Sequence, residues 1–164
     1  MKKSILDVVS LLGIVMVASC NIKTYELPVD YKGSVATIRD TTTHDKANSF
    51  KAQIYTVHEI NGVLDTNSPH RFVSGAGPGV VTQESSRKIP TKETILTLSG
   101  REVYGADGFA LMDWTKRKPV SGDIFFTPKA NRVYEVRGSL GKKRSSIWLV
   151  DTVTNRVVGR KISN

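Results

Sequence analysis

The sequence has 164 residues, of which 39% are hydrophobic and 24% are charged, and its formal net charge is +9. This length and composition are typical of one folded domain, and they exclude a collagen-like, mucin-like or largely disordered chain. Cys20 is the single cysteine, which excludes an intramolecular disulfide, so the fold depends on its hydrophobic core.

The N-terminal segment has the organisation of an export signal. Lys2 and Lys3 precede an apolar run at residues 8–18, which is shorter than the roughly 20 residues of a transmembrane helix. The run ends in Val17-Ala18-Ser19-Cys20, which resembles the lipobox of bacterial lipoproteins, where an apolar residue and two small residues precede a cysteine. The family prefers leucine where Val17 stands. An ordinary secretory signal followed by a coincidental cysteine is the alternative interpretation.

The resemblance implies a lipid anchor on Cys20. It implies that residues 1–19 are removed as a signal peptide, that the cysteine sulfur receives a diacylglyceryl group, and that the new amino group is acylated, commonly with palmitate. Several acyl chains anchor a protein firmly, whereas one chain gives only marginal binding. Asn21 stands where an aspartate would favour the inner membrane, so the resemblance implies the outer membrane, facing the periplasm, in a Gram-negative cell. Residues 20–33 are then the lipidated N-terminus with a short tether, and residues 34–164 are a single domain.

The first part of this domain has the patterns of β-strands. Residues 35–39 form a short β-branched run, and residues 40–45 are expected to form a polar loop. Apolar and polar residues alternate over residues 50–54, which predicts a half-buried strand. From Tyr55 and Val57 onwards the apolar residues fall on the opposite face of the strand. This change predicts either a bulge or a strand covered on both faces. Asn61-Gly62 predicts a type I′ hairpin turn, because both residues tolerate positive φ.

The rest of the chain continues with short apolar or alternating runs, separated by glycine-containing pairs that are typical of turns. Residues 134–158 predict two successive hairpins, with Tyr134 and Val136 on one face and Trp148 in the core. No stretch keeps a helical apolar period over three turns, so the sequence predicts an all-β domain. An antiparallel β-sandwich is favoured, and a small β-barrel is the alternative. The runs are residues 95–98, 124–126, 133–136 and 147–150, and the predicted turns are residues 99–100, 107–108, 121–122 and 138–139.

Positive charge is concentrated in the C-terminal part of the chain. Residues 101–164 contain 13 Lys and Arg against 6 Asp and Glu, whereas residues 20–100 contain 9 against 8. Two clusters in predicted loops, Lys116-Arg117-Lys118 and Lys142-Lys143-Arg144, would attract phosphate or carboxylate groups if they meet at one end of the sandwich. Phospholipid headgroups, lipopolysaccharide phosphates and peptidoglycan carboxylates provide such groups in a cell envelope. The alternative is a solvated face that keeps the protein soluble.

The sequence contains no motif for catalysis, metal binding or nucleotide binding. His44, His58 and His70 lack the spacing of a metal motif, residues 75–79 lack a dinucleotide or phosphate-loop pattern, and Gly-x-Ser-x-Gly is missing. We therefore expect no cofactor and no metal, and the export signal argues against a nucleic-acid partner. The alternative is a cell-wall hydrolase that places the first or last histidine beside carboxylates. The acids available for this are Glu59, Asp65 and Glu84.

Together these patterns predict a non-enzymatic interaction or structural module at the cell envelope. The lipid on Cys20 would hold it at a membrane. Its partner would be an anionic envelope polymer or another envelope protein, bound through the two basic clusters.

Overall fold

A computed structural model of the protein describes residues 24–45, 48–66, 80, 85–105, 113 and 115–164. These residues form ten β-strands, which confirms the prediction of an all-β domain. Within this part of the chain, no helix long and apolar enough to cross a membrane is found. In chain order the strands are β1 (Val35–Arg39), β2 (Thr41–Asp45), β3 (Asn48–Ile60), β4 (Val63–Leu64), β5 (Ser86–Pro90), β6 (Thr94–Tyr104), β7 (Val120–Phe126), β8 (Val133–Ser139), β9 (Ser146–Asp151) and β10 (Arg156–Ser163).

The strands form two mostly antiparallel sheets that face each other. The order in the first sheet is β10-β9-β8-β1-β5, and the order in the second is β2-β3-β6-β7, with β4 paired to β3. β1 and β8 run parallel. β10 also approaches β7 across one side of the molecule, where Arg160 Nε donates a hydrogen bond to the carbonyl of Asp123 at 3.1 Å. Among the described strands, none of the first sheet pairs with one of the second. They therefore form a sandwich of two separate sheets, and the alternative prediction of a small β-barrel is wrong.

The main hydrophobic core lies between the two sheets. Ile38, Leu98, Val136 and Leu149, which come from both sheets, are fully buried there. Tyr134 is buried on the same face of β8 as Val136, as the alternation predicts. β8, β9 and β10 follow one another as antiparallel neighbours, so the prediction of two closing hairpins is confirmed.

β3 is covered on both of its faces. Tyr55 and Val57 belong to the main core, whereas Ile54 packs with Val80 in a second cluster on the opposite face. The register with β6 shifts after Val57, and this bulge returns Ile60 to the main core. The change of phase at Tyr55 thus reflects a strand covered on both faces, the second of the two predicted alternatives, whereas the bulge lies further along the strand.

The turn at Asn61-Gly62 joins β3 to β4 and defines what we call the hairpin end of the sandwich. Its two residues have φ values of 52° and 74°, as predicted for a type I′ turn. Asn61 N donates a hydrogen bond to the carbonyl of Ile95 at 2.9 Å, which places the start of β6 at this end. The end of β7 and the start of β8 meet nearby, where the rings of Phe126 and Tyr134 pack edge to face at 5.4 Å.

Residues 40–45, predicted to be a polar loop, contain a strand instead. β2 pairs antiparallel with β3, and only Asp40 separates it from β1. Threonine is β-branched and favours extended backbone, so three consecutive threonines support a strand in spite of their polarity. The corner at Asp40, which is 1% exposed, moves the chain from the first sheet to the second.

Three glycine-containing pairs predicted to be turns lie inside strands. These pairs, at residues 99–100, 121–122 and 138–139, belong to β6, β7 and β8. A Cβ on Gly138 would overlap the ring of Tyr55, and a Cβ on Gly122 would lie 3.1 Å from Ile162 Cγ2. Glycine is therefore needed here to make room for side chains between the sheets, and the turn prediction is wrong. The predicted turn at residues 107–108 lies outside the described residues.

The described part of the predicted tether, residues 24–33, begins with contacts to the sandwich. Thr24 forms a parallel bridge with Leu64, and Tyr25 N donates a hydrogen bond to the Leu64 carbonyl at 2.7 Å. The Tyr25 hydroxyl donates to the carbonyl of Lys88 at 3.3 Å, and its ring packs against the main core. These contacts attach the chain to the edge formed by β4 and β5.

Candidate functional site

The two basic clusters meet at the end of the sandwich opposite the hairpin end. Lys118 N donates a hydrogen bond to the carbonyl of Gly141 at 3.0 Å, and the Ser145 hydroxyl donates to the Lys118 carbonyl at 2.6 Å. These bonds hold the segment before β7 beside the β8–β9 loop. We call this surface the basic end. It consists of Lys116, Arg117, Lys118, Lys142, Lys143 and Arg144.

Five of the six side chains at the basic end are exposed to solvent. The exception is Arg117, whose side chain is 30% exposed and lies with Nε 3.8 Å from Glu102 Oε1. Because like charges repel one another and attract opposite charge, such a concentration of cations favours an anionic neighbour. The surface therefore has the chemistry to attract phosphate or carboxylate groups.

A buried ionic network supports the first basic cluster. Lys51 is 3% exposed, and its Nζ lies 3.1 Å from Glu102 Oε1 and 2.9 Å from Asp113 Oδ2. The same Nζ donates to Thr115 Oγ1 at 3.1 Å, and Arg117 N donates to Glu102 Oε2 at 2.8 Å. The backbone of the basic cluster is thus tied to side chains of β3 and β6.

Burial and hydrogen bonding shift the pKa values of three groups in and beside this network. Hydrogen bonds from Thr115 and Lys51 hold the pKa of Asp113 well below its usual range. Burial is the largest single influence on Lys51 and lowers its pKa, but the hydrogen bonds to Asp113 and Glu102 outweigh it, so the pKa is raised. Burial and the nearby Glu102 carboxylate also raise the pKa of Tyr104 above its usual range. The Lys51 ammonium, held between the Glu102 and Asp113 carboxylates, supports the first basic cluster from within the fold.

Two polar residues hold the second basic cluster. Ser145 is 1% exposed, and its hydroxyl accepts a hydrogen bond from Gly141 N at 3.1 Å. Ser145 N donates to Asn164 Oδ1 at 3.0 Å, and Asn164 Nδ2 donates to the carbonyl of Pro119 at 2.5 Å. The β8–β9 loop, the end of β10 and the start of β7 are therefore fixed relative to one another.

Trp148, predicted to pack in the core, lies on the outer face of the first sheet. Its neighbours Ile147 and Leu149 point into the core, so the alternation of β9 places Trp148 outside. Lys161 Nζ lies 4.1 Å from the centroid of the ring, which is a cation–π contact. Trp148 also borders a shallow pocket of about 280 Å³. The other residues around this pocket are Thr41, Thr43, Tyr55, Arg137 and Gly138.

Of the residues considered for hydrolysis, the structure describes the side chains of Glu59 and Asp65. His58 is partly exposed, with Nε2 4.0 Å from Glu59 Oε1 in the same strand. Asp65 is 2% exposed and forms an ion pair with Arg87. Among the residues that the structure describes, no group of three or more His, Cys, Asp or Glu is placed to hold a metal ion. The side chain of His44 lies outside the described residues, as do Cys20, His70, Glu84, Trp114 and residues 75–79.

The sequence analysis missed a second buried network, centred on Arg87. Its Nη1 donates to Asp40 Oδ1 at 2.7 Å, and its Nη2 and Nε contact Asp40 and Asp65. Ser85 Oγ donates to Asp40 Oδ2 at 2.8 Å, and Val57 N donates to Asp40 Oδ1 at 3.1 Å. The network ties the β1–β2 corner to β5 and to the segment after β4. Its members lie far apart in the chain, so no local pattern reveals it.

Comparison with models of known protein families, with curated proteins and with solved structures gives no match for this chain.

Proposed function

We propose that this protein is a lipid-anchored, non-enzymatic envelope protein that binds an anionic envelope component through its basic end. The observation that carries the proposal is the meeting of two basic triplets, far apart in sequence, on two hydrogen-bonded loops. Hydrogen bonds from Lys118 to Gly141 and from Ser145 to Lys118 hold the triplets together.

The strength of such a site follows from its charge. Near an anionic surface each cation contributes about 1 kcal/mol, so five exposed cations give about 5 kcal/mol, or a dissociation constant of roughly 0.1–1 mM. This affinity is weak for a freely diffusing protein. A membrane anchor raises the effective concentration of a nearby ligand, so weak binding is sufficient at the envelope. The resemblance of the segment ending in Cys20 to a lipobox supports such an anchor, and Asn21 supports the outer membrane.

A pull-down on peptidoglycan and on lipopolysaccharide tests the proposal. We expect the protein to be retained at low salt and released as salt rises, because screening weakens attraction between exposed charges. A variant with all six cations of the basic end changed to serine should lose most of this retention. Urea unfolding of each variant checks that the fold is intact.

A matched control removes the same charge elsewhere. Six other exposed cations, away from the basic end, are changed to serine in this variant, which should be retained like the original protein. Equal retention of the two variants on both materials would contradict the proposal. The control positions are Lys32, Arg39, Lys88, Lys92, Lys129 and Arg156.

A further inference from the structure

The shallow pocket of about 280 Å³ beside Trp148 lies close to the basic end. Its walls come from β8 and β9 of the first sheet and from β2 and β3 of the second. Gly138 lines the pocket, and three residue steps, which cover at most about 11 Å, lead from it to Gly141 in the β8–β9 loop. The same loop carries Lys142-Lys143-Arg144, so the pocket and the basic end are neighbours.

Trp148 gives the pocket an aromatic surface. Its side chain is partly exposed, and Lys161 Nζ lies 4.1 Å from the ring centroid. Lys161 belongs to β10, which flanks β9 on the side away from β8, so it holds the indole from the flank opposite the pocket wall. A ring held in place before binding offers apolar contact area without the entropic cost of ordering it.

The groups around the ring form hydrogen bonds. The Arg137 guanidinium donates to Glu135 Oε2 at 2.8 and 3.1 Å and to Asn155 Oδ1 at 3.0 Å. Within the described part of the chain, these bonds use three of its five N–H groups, so two are available to a ligand. Thr41 and Thr43 add hydroxyl groups at the opposite wall. Because Glu135 offsets the charge of Arg137, the pocket itself suits uncharged hydroxyl groups, whereas the basic end suits anions.

A sugar ring matches this combination of groups. Its C–H groups form an apolar face that packs on an aromatic ring, and its hydroxyl groups both donate and accept hydrogen bonds. The pocket is at the small end of the range for ligand sites, so its volume suits one ring rather than an extended ligand. A phosphoglycerol headgroup or an acidic polypeptide carries acid groups without a ring of this kind, so neither makes use of Trp148.

We infer that the ligand of the basic end is an acidic saccharide chain, which places one sugar ring on Trp148 in the pocket and its acid groups at the two basic triplets. The inference rests on the proposed function, because it needs the anion binding of the basic end. It adds the chemical class of the ligand and a second contact that does not depend on charge.

Two polymers with the same acid group separate the effect of the ring from the effect of charge. Polygalacturonate carries one carboxylate on each sugar ring, whereas polyglutamate carries one carboxylate on each residue of a polypeptide without rings. The measurement is the dissociation constant of the detergent-dispersed protein for each polymer, at equal carboxylate concentration. We expect roughly three- to tenfold tighter binding of polygalacturonate. This ratio should persist as salt rises, because salt screens charges and not the contact with the ring.

Variants of Trp148 test whether the preference comes from the pocket. Trp148→Ala should remove the preference and leave the affinity for polyglutamate within about twofold of the original value. Trp148→Tyr keeps an aromatic ring, so it should retain part of the preference, and it supplies the comparison if the alanine variant does not fold. The matched control is Phe125→Ala, which removes an aromatic side chain that is 59% exposed on the second sheet and should keep the full preference.

The outcomes separate the failure of this inference from the failure of the proposed function. Equal affinity for the two polymers, or a preference that survives in Trp148→Ala, overturns the saccharide ligand and leaves anion binding by the basic end standing. If the original protein binds neither polymer, or if the six-serine variant binds both polymers as tightly as the original, the proposed function fails and the inference fails with it.

Discussion

Replacing Arg87 by methionine removes the positive charge between two buried carboxylates. Arg87 is 4% exposed, and its partners Asp40 and Asp65 are 1% and 2% exposed. Methionine fills a similar volume but donates no hydrogen bond. The substitution therefore leaves two carboxylates without their common donor and keeps the packing around them.

The cost of this change is large because water cannot reach the carboxylates. Removing one partner of a buried ion pair costs about 3–5 kcal/mol, since the charge that remains is uncompensated. Asp40 still accepts hydrogen bonds from Ser85 and Val57, which offsets part of the loss. We therefore expect a decrease of about 3–4 kcal/mol in the free energy of unfolding.

Urea unfolding followed by tryptophan fluorescence measures the change. With a slope of about 2 kcal/mol per molar urea, the loss lowers the midpoint by roughly 1.5–2 M. The matched control is Arg137→Met, which breaks the pair with Glu135 at 2.8 Å, where the two side chains are 40% and 24% exposed. An exposed pair contributes about 0–1 kcal/mol, so this control should move the midpoint by less than about 0.5 M.

Equal midpoints for the two variants would refute the reasoning, because burial is what distinguishes the two ion pairs. If Arg87→Met does not fold, Arg87→Lys supplies the comparison. Lysine keeps the charge and loses the forked pair of donors, so it should be less stable than the original protein but still folded.

Two further predictions concern the hydrogen bonds of Asp113 and the packing around Tyr55. Because hydrogen bonds from Thr115 and Lys51 lower the pKa of Asp113 in the folded state, their stabilisation is fully present above the ordinary pKa of 3.8 and is lost as the pH falls below it. The unfolding free energy measured in urea should therefore decline at acidic pH, and the decline should be shallower in Asp113→Asn; identical slopes would rule out this role. Gly138→Ala should cost about 1–3 kcal/mol in the same assay, because the new Cβ would overlap the Tyr55 ring. The neighbouring exposed Ser139→Ala should change stability by less than about 0.5 kcal/mol, and a similar value for Gly138→Ala would contradict the packing argument.

Local patterns were sufficient for much of the fold. The alternation in β8 placed Tyr134 and Val136 inside, and Asn61-Gly62 specified its turn, because each signal depends only on adjacent residues. Glycine was ambiguous, since the same residue type permits a turn and makes room between sheets. Gly100 and Gly138 serve the second purpose around Tyr55, which comes from another strand. A single sequence does not show that distant partner.

The candidate site was predictable in its residues and not in its arrangement. Two runs of cations are visible in the sequence, but their meeting depends on hydrogen bonds from Lys118 and Ser145 to distant segments. The supports are harder still to predict, because nothing in the sequence distinguishes the buried Lys51 from a lysine on the surface. Trp148 misled the sequence analysis because size and hydrophobicity favour burial, whereas the phase of β9 decides which way the ring points.

The parallel pairing of β1 with β8 has a consequence for how the chain folds. Thr37 pairs with Val133, almost at the other end of the sequence, so β1 has no neighbour on that side until the closing hairpins exist. Contacts between such distant segments make folding slow, because a long loop must close before they form. A chain synthesised from its N-terminus therefore stays open until its last third is complete. Completion of the first sheet is therefore expected late in folding.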